Sequence, residues 1–154
     1  MQFSWKRFLF NLAAPLAVGG LSALITGNSM GVYKTIQRPP FSPPGIVFPI
    51  VWTVLFCLMG ISAYLVSSDR EHRHARAWKA YILQLAVNFF WPVLFFCLHW
   101  YGFAFFWLLF LIGLVIWMIR EFMLLNKAAG LLQLPYFIWL LFAGYLNLGV
   151  WLLN

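Results

Sequence analysis

Tryptophan side chains that lie far from any charge are the groups of this sequence with the most capacity for chemistry. The 154 residues include 9 Trp, and an indole N–H buried in an apolar medium needs a hydrogen-bond acceptor. Phe48, Trp52 and Phe56 recur every four residues, so on an α-helix their rings share one face. Such a face can line an apolar cavity or pack against another helix.

Two further stretches combine tryptophan with an amide on one helical face. The first stretch contains Gln84, Asn88, Trp91 and Phe95. The second contains Trp139, Ala143 and Asn147, and the small Ala143 leaves a gap between two larger groups. Three faces of this kind can converge on a small-molecule cavity with a few polar contacts. Plain helix packing is the alternative, because Asn and Gln also hydrogen-bond between membrane helices.

The ionisable residues argue against acid–base or nucleophilic catalysis. Asp69, Glu71 and Glu121 are the acids of the sequence, and each lies at the border of an apolar stretch. Cys57 and Cys97 lie within apolar stretches without a CxxC pair, so we expect them to pack as small apolar residues. The sequence therefore predicts no conventional catalytic group and no metal site.

Long stretches without charge define the elements that carry these faces. The chain is 64% hydrophobic and 8% charged, whereas a soluble domain has about 25% charged residues. A membrane-spanning helix needs about 20 mostly apolar residues, and the longest charge-free stretch is interrupted by a turn-like cluster at 99–102. We predict one all-α membrane domain over 1–154, a five-transmembrane-helix bundle with spans at about 8–25, 46–66, 78–98, 103–125 and 131–153.

The predicted first loop, 26–45, is longer than a simple helix connection. Four prolines stiffen its second half: Pro39, Pro40, Pro43 and Pro44. A rigid loop of this kind can act as a lid over the bundle or as a structural cap on the helix ends.

The distribution of Lys and Arg predicts the orientation in the membrane. Of the 10 basic residues, Lys34 and Arg38 fall on one side, and the others fall at the amino end and in the second and fourth loops. The positive-inside rule then places the amino terminus in the cytoplasm and the carboxyl terminus outside. Because the charges are dispersed, we expect no nucleic-acid partner. We expect the first helix, which contains Pro15, to be an uncleaved anchor.

Three blocks of motif residues occur in order along the chain. The first is Pro39-x-Phe41-x-Pro43-Pro44-Gly45, followed by Val47-Phe48-Pro49-x-x-Trp52-x-x-Leu55. The second is Gln84-Leu85-x-x-Asn88-x-x-Trp91-Pro92. The third is Leu134-Pro135-Tyr136-x-x-Trp139-x-x-Phe142-Ala143-x-x-Leu146-Asn147. Together they resemble the tryptophan-rich sensory protein family, TspO, also called the translocator protein or peripheral benzodiazepine receptor family.

The resemblance implies a homodimeric five-helix bundle in the cell membrane of a bacterium. It also implies binding of porphyrins (protoporphyrin IX or haem) and benzodiazepine-site ligands between the helices, beneath the first loop. The residues that match the family site are Tyr33, Phe48, Trp52, Phe56, Asn88, Trp91, Trp139, Ala143 and Asn147.

Three functions are compatible with the resemblance. A receptor or sensor is our first expectation. The alternatives are a light-dependent porphyrin-degrading activity, with Trp52 and Trp139 as the oxidisable residues, and a porphyrin transporter. Two positions depart from the family pattern: Val32 stands where a Trp usually precedes the tyrosine at 33, and no Lys or Arg follows Tyr145. Because of the second departure, we do not predict specific sterol binding.

Overall fold

Helices account for nearly all of the regular structure of this protein. The computed structural model describes residues 2–29, 31–68 and 74–154, and within these ranges it contains no β-strand. The helices are α1 (Trp5–Thr26), α2 (Val32–Thr35), α3 (Val47–Ser67), α4 (His74–Pro92), α5 (Tyr101–Leu125), α6 (Lys127–Leu131) and α7 (Leu134–Leu153). A π-helical turn, Val93–Cys97, continues α4.

Five of the helical segments are long and apolar enough to cross a membrane: α1, α3, α4 with its π-helical turn, α5, and α6 together with α7. The predicted five-helix bundle is therefore confirmed. The helices extend beyond the predicted spans at several ends, and α4 begins at His74 instead of 78. The turn added to α4 includes Arg76, a residue type whose long side chain can keep its charge outside the hydrocarbon region. The predicted loop residues 69–73 lie outside the described ranges.

The turn between α4 and α5 is shorter than the predicted cluster at 99–102. Tyr101 and Gly102 already belong to α5, and the chain reverses over 98–100. His99 has a φ of 56°, in the left-handed region, and the N–H of Trp100 donates to the carbonyl of Leu94 at 3.0 Å. Pro92 precedes this turn and has no N–H to donate, which favours the local change to π-helical hydrogen bonding.

The first loop contains more helix than the sequence predicted. It includes a 3₁₀ turn, Gly27–Ser29, and the short helix α2, before an extended proline-rich segment leads into α3. We call the end of the bundle that carries this loop the loop end. The other end, where α3 and α5 finish, is the opposite end.

The long helices follow one another around the bundle in the order α3, α1, α4, α5 and α7. The helices α1 and α3 approach closely towards the opposite end, at Gly60. A Cβ atom on Gly60 would lie 2.7 Å from the Cα of Leu12 and 2.9 Å from the carbonyl oxygen of Asn11. Only glycine permits this contact, because any side chain would separate the two backbones.

Candidate functional site

A cavity of about 850 Å³ occupies the loop-end half of the bundle. Its walls come from α1, α3, α4 and the first loop. The lining residues of α1, α3 and α4 with its π-helical turn fall within 18–26, 48–56 and 88–96, so the cavity does not extend to the opposite end. Small-molecule sites typically measure roughly 300–1,000 Å³, which makes this one large enough for an extended planar ligand.

Most of the predicted site residues lie together on this cavity. They are Tyr33, Phe48, Trp52, Phe56, Asn88 and Trp91. The rings of Trp52 and Phe56 stack, with 5.6 Å between their centroids and 30° between their planes. The helical spacing of Phe48, Trp52 and Phe56 therefore corresponds to one aromatic wall of the cavity.

The predicted residues of α7 do not line the large cavity. Ala143 and Asn147 instead line a neighbouring pocket of about 20 Å³, beyond Phe48 and Trp91, which face both spaces. Trp139 lines neither space. Its ring lies 5.9 Å from that of Phe48, and its buried N–H has no partner among the described residues. The physical reason is that α7 packs against α5, one layer behind the wall.

Helix α1 supplies a wall that the sequence interpretation missed. Val18, Gly19, Ser22, Ala23 and Thr26 all face the cavity. Most of these residues are small and recur at intervals of three or four, so they form a shallow helical face. That pattern was present in the sequence. It lacks the aromatic and amide groups that mark the other faces of the cavity.

The polar groups of the wall are largely engaged within the protein. The hydroxyl of Ser22 donates to the carbonyl of Phe89 at 3.1 Å, and that of Thr26 donates to the carbonyl of Ser22 at 2.8 Å. The indole N–H of Trp91 donates to Oδ1 of Asn147 at 3.0 Å. A bound molecule therefore meets mainly rings and aliphatic groups in the deep part of the cavity.

Positive charge is confined to the rim of the cavity. Lys34 and Arg38 line it at the loop end, and the guanidinium carbon of Arg38 lies 4.6 Å from the ring centroid of Tyr33. The hydroxyl of Tyr33 donates to the carbonyl of Pro43 at 2.6 Å, which holds the ring beneath the cation. The arrangement suits a molecule with an apolar body and an anionic group at one end.

Within the described ranges, no group of three or more His, Cys, Asp or Glu side chains is arranged to hold a metal ion. The one acidic side chain there is Glu121, which is buried at the opposite end, with Oε1 at 3.7 Å from the guanidinium of Arg76. The cavity walls therefore provide aromatic surfaces, an amide and a cationic rim.

These features define a class of protein: an integral membrane bundle of five helices that encloses a cavity of small-molecule size. Residues 11–152 match the TspO/MBR family model. The chain belongs to the TspO/MBR family.

Relatives with assigned names cover nearly the whole chain. It is 33% identical to the "Tryptophan-rich protein TspO" of Archaeoglobus fulgidus, over 96% of this chain and 97% of the relative. It is 36% identical to "Protein CrtK" of Rhodobacter capsulatus, over 98% of this chain and 94% of the relative. It is 32% identical to the "Tryptophan-rich sensory protein" of Cereibacter sphaeroides, over 100% of this chain and 95% of the relative.

Proposed function

We propose that this protein is a membrane receptor with a sensory role that binds porphyrins, protoporphyrin IX or haem, in the cavity beneath the first loop. Ligands of the benzodiazepine-site type would occupy the same cavity. The name of the Cereibacter relative, a sensory protein, supports the general role. The observation that carries the proposal is the combination of a cavity of about 850 Å³, aromatic walls and a cationic rim.

The aromatic walls suit a flat macrocycle. Trp52 and Phe56 stack with 30° between their ring planes, and Trp91 stacks on Phe95 with 26° between the ring planes. Large aromatic faces bury much apolar area and favour offset stacking. A porphyrin ring between α3 and α4 would be in contact with such faces on both sides.

The cationic rim suits the two propionate groups of a porphyrin. Lys34 and Arg38 are exposed at the loop end, and carboxylates form charge-assisted hydrogen bonds with both types of side chain. With its propionates at the rim, the apolar ring would extend into the deep part of the cavity.

The cavity favours binding over the two alternatives. Trp52 lines it but Trp139 does not, so a photo-oxidation that requires both indoles against one ligand has less support. Because the cavity is confined to the loop-end half of the bundle, the transporter alternative also has less support.

We further propose that the protein forms a homodimer in the cell membrane, with the amino terminus in the cytoplasm.

Titration of purified protein with protoporphyrin IX, followed by Trp fluorescence, tests the proposal. We expect saturable quenching. The double variant Lys34→Gln/Arg38→Gln should bind roughly tenfold more weakly, because each charge-assisted hydrogen bond contributes about 1.5–3 kcal/mol and exposure reduces that value. Arg120→Gln, an exposed cation on α5 near the opposite end, is the matched control and should bind like the native protein.

Two outcomes would contradict the proposal. One is the absence of saturable quenching in the native protein. The other is equal affinity in the native protein and the double variant, which would remove the role assigned to the rim.

A further inference from the structure

A chain of buried hydrogen bonds lies directly behind the cavity wall. Nδ2 of Asn88 donates to the hydroxyl of Tyr136 at 2.7 Å, and that hydroxyl donates to Oε1 of Gln84 at 2.8 Å. Nε2 of Gln84 in turn lies 3.8 Å from the sulfur of Met59. The chain joins α3, α4 and α7, and all four side chains are buried.

The Met59 end of this chain determines which group donates in each hydrogen bond. A thioether sulfur can accept a hydrogen bond but carries no hydrogen to donate. The contact with Met59 is therefore satisfied when Gln84 presents its NH₂ group to the sulfur. Its carbonyl oxygen then faces Tyr136. The phenol has a single hydrogen and gives it to Gln84, so it can only accept from Asn88.

Asn88 must therefore present its NH₂ group to Tyr136, and its carbonyl oxygen is left for another partner. Asn88 lines the cavity. Oδ1 of Asn88 accepts no hydrogen bond from the described residues. Because it is also not among the fully buried side-chain atoms that lack a partner, it is accessible at the protein surface. That oxygen is thus an available acceptor in the deep part of the cavity, where the hydroxyl of Ser22 and the indole N–H of Trp91 already donate to other groups.

We propose that Tyr136 and Gln84 are positioning residues that fix Asn88 as a hydrogen-bond acceptor in the cavity. The site then selects ligands that carry an N–H or O–H donor at this depth. This inference rests on the proposed function only in taking the cavity as a ligand site. Tyr136 also supports the wall through Trp52, whose ring lies 6.1 Å from its own.

A pair of probes that differ in one donor tests the assignment. Carbazole is a flat apolar molecule with a single N–H, and N-methylcarbazole lacks that hydrogen. Binding to protein in lipid nanodiscs is measured by equilibrium dialysis, and empty nanodiscs correct for partition into lipid. We expect the native protein to bind carbazole with about tenfold higher affinity than N-methylcarbazole, which corresponds to one hydrogen bond in a site without water.

Tyr136→Phe removes the hydroxyl that orients Asn88, so the preference should fall to about one. Tyr81→Phe is the matched control: its hydroxyl is buried without a partner among the described residues, and the preference should persist. Gln84→Met is a second test. It frees the phenol hydrogen to bond Oδ1 of Asn88, which turns the NH₂ group towards the cavity and abolishes or reverses the preference.

Equal binding of the two probes by the native protein would overturn the assignment, as would a full preference in folded Tyr136→Phe and Gln84→Met. Binding of neither probe by native protein that binds protoporphyrin IX would also count against it. Native protein that fails to bind protoporphyrin IX but still prefers carbazole would overturn the porphyrin proposal and leave this one standing.

Discussion

Two adjacent glycines of α1 have different surroundings, and the difference provides a test at the scale of single residues. A Cβ atom on Gly19 would overlap the ring of Phe56, whereas a Cβ atom on Gly20 would meet nothing within 4 Å. Both positions lie inside α1. Since Phe56 lines the cavity, Gly19 allows that ring to lie against α1 instead of filling the space.

We predict that Gly19→Ala weakens protoporphyrin IX binding several-fold, because the new methyl group displaces the ring of Phe56 or separates α1 from α3. Gly20→Ala makes the same chemical change one residue later and should leave binding unchanged. Its helix should be slightly more stable, by at most roughly 1 kcal/mol. Fluorescence titration and thermal unfolding of both variants check this. Equal affinities in the two would contradict the close packing of Phe56.

At the scale of elements, the proline-rich segment of the first loop is anchored to the end of α7. Oδ1 of Asn154 accepts from the N–H of Gln37 at 3.1 Å, and Nδ2 donates to the carbonyl of Gln37 at 2.8 Å. The hydroxyl of Tyr145 donates to the carbonyl of Pro40 at 2.7 Å. A Cβ atom on Gly149 would lie 2.5 Å from the ring of Pro39, so that ring packs directly on the helix.

We predict that the double variant Asn154→Ala/Tyr145→Phe loosens the loop. The amide of Gln37 loses its acceptor and the carbonyl of Pro40 loses its donor, so exchange of the Gln37 amide should be roughly tenfold faster. Binding and release of protoporphyrin IX should also speed up if the loop acts as a lid. Hydrogen exchange and stopped-flow fluorescence measure the two effects.

Tyr64→Phe serves as the control for the loop variant. It removes a phenol that accepts from the N–H of Ser4 at the opposite end, and it should leave exchange in the loop unchanged. Faster exchange of Gln37 without any change in binding kinetics would assign the loop the role of a structural cap. Unchanged exchange in the double variant would contradict the anchoring itself.

At the scale of the whole molecule, the positive-inside rule predicts how the bundle is oriented across the membrane. Lys34 and Arg38 are the basic residues of the loop end. Within the described ranges, the other basic residues lie towards the opposite end: Lys6, Arg7, Arg76, Lys79, Arg120 and Lys127. The loop end should therefore face outside, and a ligand would enter the cavity from that side.

Cysteine labelling in intact cells checks this orientation. In a background of Cys57→Ser and Cys97→Ser, we expect a membrane-impermeant maleimide to label Ser42→Cys in the first loop. Ala128→Cys, on the exposed surface of α6 at the opposite end, should be labelled only after the cells are opened. The reverse pattern would show that the loop end faces the cytoplasm.

The sequence by itself determined the five helices and the faces that carry the chemistry. Charge in hydrocarbon is costly, so charge-free stretches of sufficient length identify the membrane spans. The helical repeat then determines which side chains share a face. For this reason Phe48, Trp52 and Phe56 could be recognised as one wall, and the predicted amide face of α4 includes both Asn88 and Trp91, which line the cavity.

Only the tertiary structure decided which faces meet. A membrane helix is apolar on every side, so its hydrophobic pattern does not specify its neighbour; close approaches at small residues and hydrogen bonds between helices do. Contacts at Gly60 and Gly19 bring α1 against α3 and make α1 part of the cavity wall. Asn147 and Tyr136 of α7 bond to Trp91 and Asn88 from behind, so α7 supports the cavity without lining it.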